Sequence, residues 1–182
     1  MVMPPHLRKF ALSFHLTVSV GWIGAVLAYL ALGLTAASTE DAQTLRAAWV
    51  GMDVTGWYVI VPLAITSVVT GLVMSLGTRW GLFRHYWVLY SFVMTLVAAV
   101  VLVLHMPGVS ELANVVREGM TRTEGEHLLG QLRRGDLLHP VLGLVVLLTV
   151  QVLNIYKPTG MTRYGRRKQR AERAASQEQA AA

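Results

Sequence analysis

The 182-residue chain contains no cysteine and few charged residues. Without thiols it can form no disulfide within the chain, no thiolate metal site and no cysteine nucleophile. Charged residues make up 14% of the sequence, against about 25% in soluble domains. Hydrophobic residues make up 54%, and the mean hydropathy is +0.49. This composition excludes an ordinary soluble domain and predicts an integral membrane protein.

Aspartate, glutamate, lysine and arginine are absent from four long apolar runs. The runs cover residues 10–37, 57–76, 86–106 and 137–156, and each reaches the roughly 20 residues that a membrane-spanning helix needs. The first run is much longer than the hydrophobic region of a signal peptide, so we expect it to be retained. The fold class predicted for residues 1–160 is therefore an all-α, polytopic, four-helix transmembrane bundle.

Basic residues are distributed unevenly between the two sides of these spans. Eleven of the 16 lysines and arginines lie before the first run, between the second and third runs, or after the fourth run. The other five lie in the two remaining connections. Because basic residues favour the cytoplasmic side, both termini are predicted to be cytoplasmic, with residues 38–56 and 107–136 outside. The outside stretch 109–118 has helical apolar spacing, which indicates either a short helix along the membrane surface or a solvated connection.

Residues 161–182 are predicted to form a basic cytoplasmic tail. We expect it to contact anionic lipid head groups and to be otherwise disordered or a frayed helix. The net charge of +6 does not indicate a nucleic-acid partner, because the basic residues lie beside apolar runs and at one end of the chain. Small residues in the first span, such as Gly21 and Gly24, permit packing within one chain or in a homodimer.

Two histidines are predicted to lie at the same depth in the membrane. His105 is near the outer end of the third span, and His139 is near the outer start of the fourth. If these helices are neighbours, the two imidazoles can meet and bind iron, copper or zinc. Haem b is favoured as the cofactor because a porphyrin needs only axial ligands from the protein, and copper is the alternative. The competing interpretation is structural, with His105 ending one helix before Pro107 and His139 beginning the next before Pro140.

His15 is the most deeply embedded histidine in the sequence. An ionisable side chain inside a membrane is a functional candidate because burying it without a partner is costly. We therefore consider a cofactor-binding or proton-handling role, against a histidine that only bonds to a nearby hydroxyl or carbonyl group. His15 lies toward the opposite leaflet from His105 and His139, so these three side chains are not expected to bind one metal ion.

Several short motifs resemble those of small bacterial polytopic membrane proteins. In the first span the motif is Phe-His-Leu-Thr-Val-Ser-Val-Gly-Trp-Ile-Gly, which begins at Phe14. The others are Thr70-Gly71-Leu72, the stretch from Gly81 to Leu89, Tyr156-Lys157-Pro158 and Tyr164-Gly165-Arg166-Arg167. The chain thus resembles the uncharacterised branch of a group that includes copper-resistance D-like membrane domains and HemJ-type protoporphyrinogen oxidases.

This resemblance implies a helical bundle in the bacterial cytoplasmic (inner) membrane, with b-type haem bound by His15. Tyr90 stands where a lysine is expected in the relatives, which argues against porphyrinogen oxidation. The sequence contains no recognisable set of nucleophile, base and oxyanion donors, so it assigns no enzymatic activity. Two hypotheses follow: a haem-binding or metal-binding protein that passes electrons to a membrane redox partner, and a non-catalytic assembly module or small-solute pathway with structural histidines.

Overall fold

The computed structural model describes residues 3–78, 81–118 and 136–181, and within them the only β-structure is one isolated bridge. The helices are α1 (Pro5–Ser38), α2 (Ala42–Thr55), α3 (Val61–Gly77), α4 (Tyr86–Glu118), α5 (Leu138–Tyr156) and α6 (Arg163–Ala181). A π-helical turn, Gly56–Ile60, joins α2 to α3 without a break. The all-α prediction is confirmed for these residues.

Four helices are long and apolar enough to cross a membrane: α1, the continuous α2–α3 helix, α4 and α5. Their number confirms the multi-pass membrane character predicted from the four apolar runs. Three of them contain 33 to 36 residues, which corresponds to about 50 Å at 1.5 Å per residue. The hydrocarbon core of a bilayer is only about 30 Å thick. These three helices are therefore longer than the hydrocarbon core is thick, whereas the 19 residues of α5 match its thickness.

The segment predicted as the first outside loop is in fact helical. Asp41 caps α2 by accepting a hydrogen bond of 2.8 Å from the amide of Thr44. Buried residues then follow at the spacing of one helix face, and they are Leu45, Ala48, Trp49 and Met52. The prediction of a loop was wrong because a search for uninterrupted apolar runs misses an amphipathic helix.

The prediction that the third helix ends near Pro107 was also wrong, because α4 continues to Glu118. Proline removes one backbone hydrogen bond from a helix interior, but the packing beyond it compensates. Val109, Ala113 and Val116 are buried along one face of this extension, and they lie on the side that packs against α2. The stretch 109–118 is thus part of α4 and not a separate surface helix.

Pro62 follows closely after the π-helical turn in the α2–α3 helix. The amide of Val61 donates to the carbonyl of Gly56, five residues earlier, and Pro62 itself has no amide to donate. Wider turns of this kind accommodate an interrupted hydrogen-bond ladder. The interruption at Pro62 therefore takes the form of a π-turn immediately before the proline.

The basic tail forms a helix, α6, where disorder or a frayed helix was expected. Its arginine, alanine, glutamine and glutamate residues are strong helix formers. The segment before α6 is bound to the start of α4: the Thr162 amide donates to the Arg84 carbonyl at 3.1 Å, and the Tyr86 amide donates to the Gly160 carbonyl at 3.2 Å. An ion pair of 3.0 Å joins Arg84 to Glu172.

Gly165 lets the first turn of α6 approach the backbone of Arg84. A Cβ atom on residue 165 would overlap with the Arg84 carbonyl, so we expect Gly165→Ala to displace α6. Overpacking costs about 1–3 kcal/mol, which predicts tryptic cleavage of the tail that is roughly five-fold faster or more. Gly108→Ala is the matched control, because a Cβ atom there meets no neighbour. Equal cleavage rates for the two variants would contradict this account of the tail.

Candidate functional site

The structure brings His105 of α4 and His139 of α5 into direct contact. Their rings are stacked, with centroids 3.6 Å apart and planes inclined by 21°. This juxtaposition agrees with the expectation that the two residues share a depth and that their helices are neighbours. It disagrees with the structural interpretation of His105, because that residue lies inside a continuous helix and not at its end. His139 is indeed in the first turn of α5.

Asp136 completes this cluster, and the sequence analysis missed it. Its Oδ2 atom lies 2.5 Å from Nε2 of His105, and its Oδ1 atom lies 3.3 Å from Nδ1 of His139. The hydroxyl group of Tyr29, on α1, donates to Oδ2 at 2.7 Å. Asp136 is only 9% exposed, so these contacts supply the partners that a buried carboxylate needs. We call His105, Asp136 and His139 the His–Asp–His cluster.

Hydrogen bonding determines the charge state of Asp136. Burial raises the pKa of its carboxyl group, but the hydrogen bonds from His105 and Tyr29 and the attraction of both histidines lower it more. The pKa of Asp136 therefore lies below its ordinary value. The group is an ionised acceptor at neutral pH, at the edge of the membrane-spanning part of α5.

Gly33 allows α1 to approach the backbone at Asp136. A Cβ atom on residue 33 would lie 2.8 Å from the Asp136 carbonyl oxygen, closer than carbon and oxygen atoms normally come. Gly33 and Tyr29 are one turn apart on the buried face of α1. The same face of α1 thus supplies both the space for the Asp136 backbone and a hydrogen bond to its side chain.

His15 lies apart from the cluster, at the end of the bundle where α1 begins. Its Nδ1 atom is 2.8 Å from Oγ1 of Thr70, and the Thr70 hydroxyl group donates to the Thr66 carbonyl at 2.7 Å. Since the threonine proton is used in that bond, Nδ1 of His15 must be the donor. Its Nε2 atom then carries a lone pair and finds no hydrogen-bond partner among the described residues. This arrangement is compatible with both expectations for His15. The side chain bonds to a nearby hydroxyl group, and it still offers one nitrogen atom as a ligand.

Two cavities lie between the helices of the bundle. The first, of about 400 Å³, is walled by α1, α4 and α5 and ends at the His–Asp–His cluster. The second, of about 670 Å³, is lined by His15, by basic residues that include Arg8 and Lys9, and by several hydroxyl and amide side chains. Trp22 and Leu147 line both cavities, so they form the wall between them.

A second buried carboxylate, Asp53, serves to join helices. It accepts hydrogen bonds from the Ser110 hydroxyl group at 2.6 Å and from the Arg117 guanidinium group at 2.8 Å. The indole N–H of Trp57 donates to the same serine at 2.8 Å. These contacts hold α2 against the extension of α4. Because Asp53 is already paired with a cation, it is a weaker candidate for a ligand site than the His–Asp–His cluster.

Comparison of the chain with protein-family models, with curated proteins and with solved structures found no match. The function is therefore argued below from the geometry of the site.

The bond from Tyr29 to Asp136 provides a direct test of the cluster. Tyr29→Phe removes one donor from a buried, ionised carboxylate, and we expect the free energy of unfolding in detergent to fall by about 1–2 kcal/mol. Tyr58→Phe is the control, since Tyr58 lies largely exposed on the outer face of the bundle. Equal losses of stability in the two variants would show that the Tyr29 hydroxyl bond contributes nothing specific.

Proposed function

We propose that this protein binds a divalent transition-metal ion at the His–Asp–His cluster. The observation that carries the proposal is the convergence of one ligand atom from each of His105, Asp136 and His139, with all three atoms within 4.8 Å of one another. Imidazole suits zinc, copper, iron and nickel, and two histidines with one carboxylate are a recurring ligand set for zinc and non-haem iron.

The spacing and the surroundings of these atoms support the proposal. Metal–ligand bonds of about 2.0–2.2 Å place the ligands of one ion about 3–4 Å apart, so only a small adjustment is required. Each histidine nitrogen that faces Asp136 must lose its proton before it can bind a cation. Tyr29 is already bonded to Asp136, which is the kind of supporting contact that orients a carboxylate ligand. Three protein ligands leave a coordination position for a further molecule.

Haem bound between His105 and His139 does not fit this geometry. A haem with two axial histidines holds its porphyrin plane between the two imidazole rings. The rings here are 3.6 Å apart, which is already the contact distance of carbon atoms. The cluster therefore favours a single ion over a porphyrin, and copper, the strongest binder in the usual order of divalent metals, is the first ion to test.

We further propose the membrane setting that the charge distribution favours. Both termini would be cytoplasmic in a bacterial inner membrane, with the His–Asp–His cluster toward the outer side. The exposed basic residues of α6, among them Arg163, Arg166 and Arg167, would face anionic lipid head groups. An ion that changes its redox state at the cluster would suit electron exchange with a membrane redox partner or within a homodimer.

Metal binding is tested by loading the purified protein with Cu²⁺ or Zn²⁺ and measuring the metal content after removal of the excess. We expect one equivalent per chain in the wild type and, for Cu²⁺, an electron paramagnetic resonance spectrum with nitrogen coupling. Asp136→Asn and His139→Ala should each weaken binding by at least about 10–100-fold, because even contacts outside the ligand set have effects of that size.

His15→Ala is the matched control for these variants, since His15 is a histidine of the same bundle outside the cluster. It should retain the full equivalent of metal. The proposal fails if His139→Ala binds as much metal as the wild type, or if the wild-type protein binds none.

A second candidate function, haem binding, is supported at His15 and its cavity. The Nε2 lone pair of His15 would be an axial ligand, and Arg8 and Lys9, which line the same cavity, would pair with the propionates. The hydroxyl group of Ser91, another residue of this cavity lining, is buried and has no partner among the described residues. The bound iron would supply one-electron chemistry.

Haem binding is tested by an absorption spectrum of the protein purified from haem-replete cells. We expect a Soret band that shifts on reduction and is lost in His15→Ala, because that substitution removes the axial ligand. His105→Ala and His139→Ala should keep the band, which separates this site from the His–Asp–His cluster. A colourless wild-type protein that also fails to take up added haem would contradict the second candidate.

A further inference from the structure

The cavity next to the His–Asp–His cluster is almost entirely hydrocarbon along its length. Its walls are valine, leucine, methionine, alanine and proline side chains of α4 and α5 together with Trp22 and Val26 of α1. The lining also includes His105, Asp136 and His139, which lie together near the start of α5. Its volume of about 400 Å³ is within the range of pockets that enclose a small organic ligand.

This cavity opens toward the lipid, between α4 and α5. Val97, Val101 and Leu142 line it, and they are 55%, 48% and 55% exposed, so the cavity is open on their side. Their helices are among the four that are apolar enough to cross a membrane. The outward faces of such helices meet acyl chains, so a molecule dissolved in the bilayer can reach the cavity without passing through water.

We propose that this cavity binds a membrane-dissolved molecule that has an apolar body and a single oxygen head group, either hydroxyl or carbonyl. The molecule enters sideways from the bilayer and places its head at the His–Asp–His cluster. The inference rests on the proposed metal site for the bond to the head group and for the exclusion of a cationic head. If no ion is bound, the same oxygen can form a hydrogen bond with one of the histidines.

The charge of the cluster and the lipid-facing entrance select this head group. A cationic head would be repelled by a bound metal ion, and an anionic head is costly to carry through the hydrocarbon core. A neutral oxygen avoids both penalties and is a suitable ligand for the coordination position that three protein ligands leave open. An apolar body matches walls that offer it no hydrogen-bonding group.

Gly143 of α5 provides a means of closing the cavity. It lines the cavity, and a Cβ atom built on it meets nothing within 4 Å. Gly143→Leu should therefore project into the empty space with little disturbance of the helices. Val101→Phe, at the exposed entrance, is a second blocking variant that does not require a change in the interior and adds no tryptophan to the chain. Gly24→Leu is the control, since a side chain at Gly24 also meets no neighbour, and Gly24 lines neither cavity.

The test uses bromoundecanol and bromoundecane added to the full-length protein in lipid nanodiscs. Bromine quenches tryptophan fluorescence on contact, and buried Trp22 lies in the cavity wall. The contribution of Trp22 is the difference in quenching between the wild type and Trp22→Phe. We expect the alcohol to quench this contribution saturably and the alkane to bind about tenfold more weakly, because it loses one polar interaction. Gly143→Leu and Val101→Phe should abolish the saturable component, and Gly24→Leu should retain it.

Measuring the metal content of the same nanodiscs separates this inference from the proposed function. Saturable, alcohol-selective quenching that the blocking variants remove supports the inference, and it does so whether or not a metal ion is bound. If metal binds but the alcohol and the alkane quench equally, acyl chains fill the cavity and the inference is overturned while the metal site stands. Quenching that persists unchanged in both blocking variants would overturn it as well.

Discussion

The carboxylate of Asp136 accepts hydrogen bonds from side chains of three helices at one level of the bundle. Apolar helices gain little from leaving lipid to pack on one another, because acyl chains are as apolar as their own side chains. Polar contacts across an interface therefore have a large share in fixing how such helices align. Tyr29, His105 and His139 can all reach Asp136 only if α1, α4 and α5 have one relative depth. The alignment of the bundle and the geometry of its candidate site are thus a single arrangement.

The two ends of the long helices are held together by different forces. In the membrane, the outward faces are covered with valine, leucine and isoleucine, which are exposed in the structure and suit lipid. At one end of the bundle, α2 and the ends of α1 and α4 form a core around Trp49, Met52 and Val109, where burial of apolar side chains stabilises packing. Asp53 and Arg117 form an ion pair in this extension. The His–Asp–His cluster lies between this core and the apolar spans.

Much of this architecture could be predicted from local patterns in the sequence. Uninterrupted apolar runs identified four spans, and equal distance from the span ends was enough to pair His105 with His139. The helix α2 and the extension of α4 were missed because their apolar residues are spaced along one face. Asp136 was missed because its burial depends on Gly33 and Tyr29, about a hundred residues earlier, and no local pattern reveals such contacts. Its position three residues before His139, at a helix start, was the one available signal.

The tail illustrates a different limit on prediction from sequence. The composition of residues 161–182 suits both a solvated chain and a helix, and the choice depends on an anchor. Gly165 and Thr162 supply that anchor by packing against the backbone at Arg84. A glycine in a basic tail does not by itself indicate a packing contact. The role of Gly165 becomes visible only when the structure shows how closely it approaches the Arg84 backbone.

The shortness of α5 has a consequence for what can meet at the His–Asp–His cluster. Its neighbours contain 33 to 36 residues, whereas the 19 residues of α5 begin close to the cluster, and the His139 side chain is 45% exposed there. The adjoining cavity opens instead to the hydrocarbon phase. A hydrophilic ion and an apolar molecule, if both bind as proposed, would accordingly reach the same few atoms by separate routes. Neither would then have to dissolve in the medium that the other prefers.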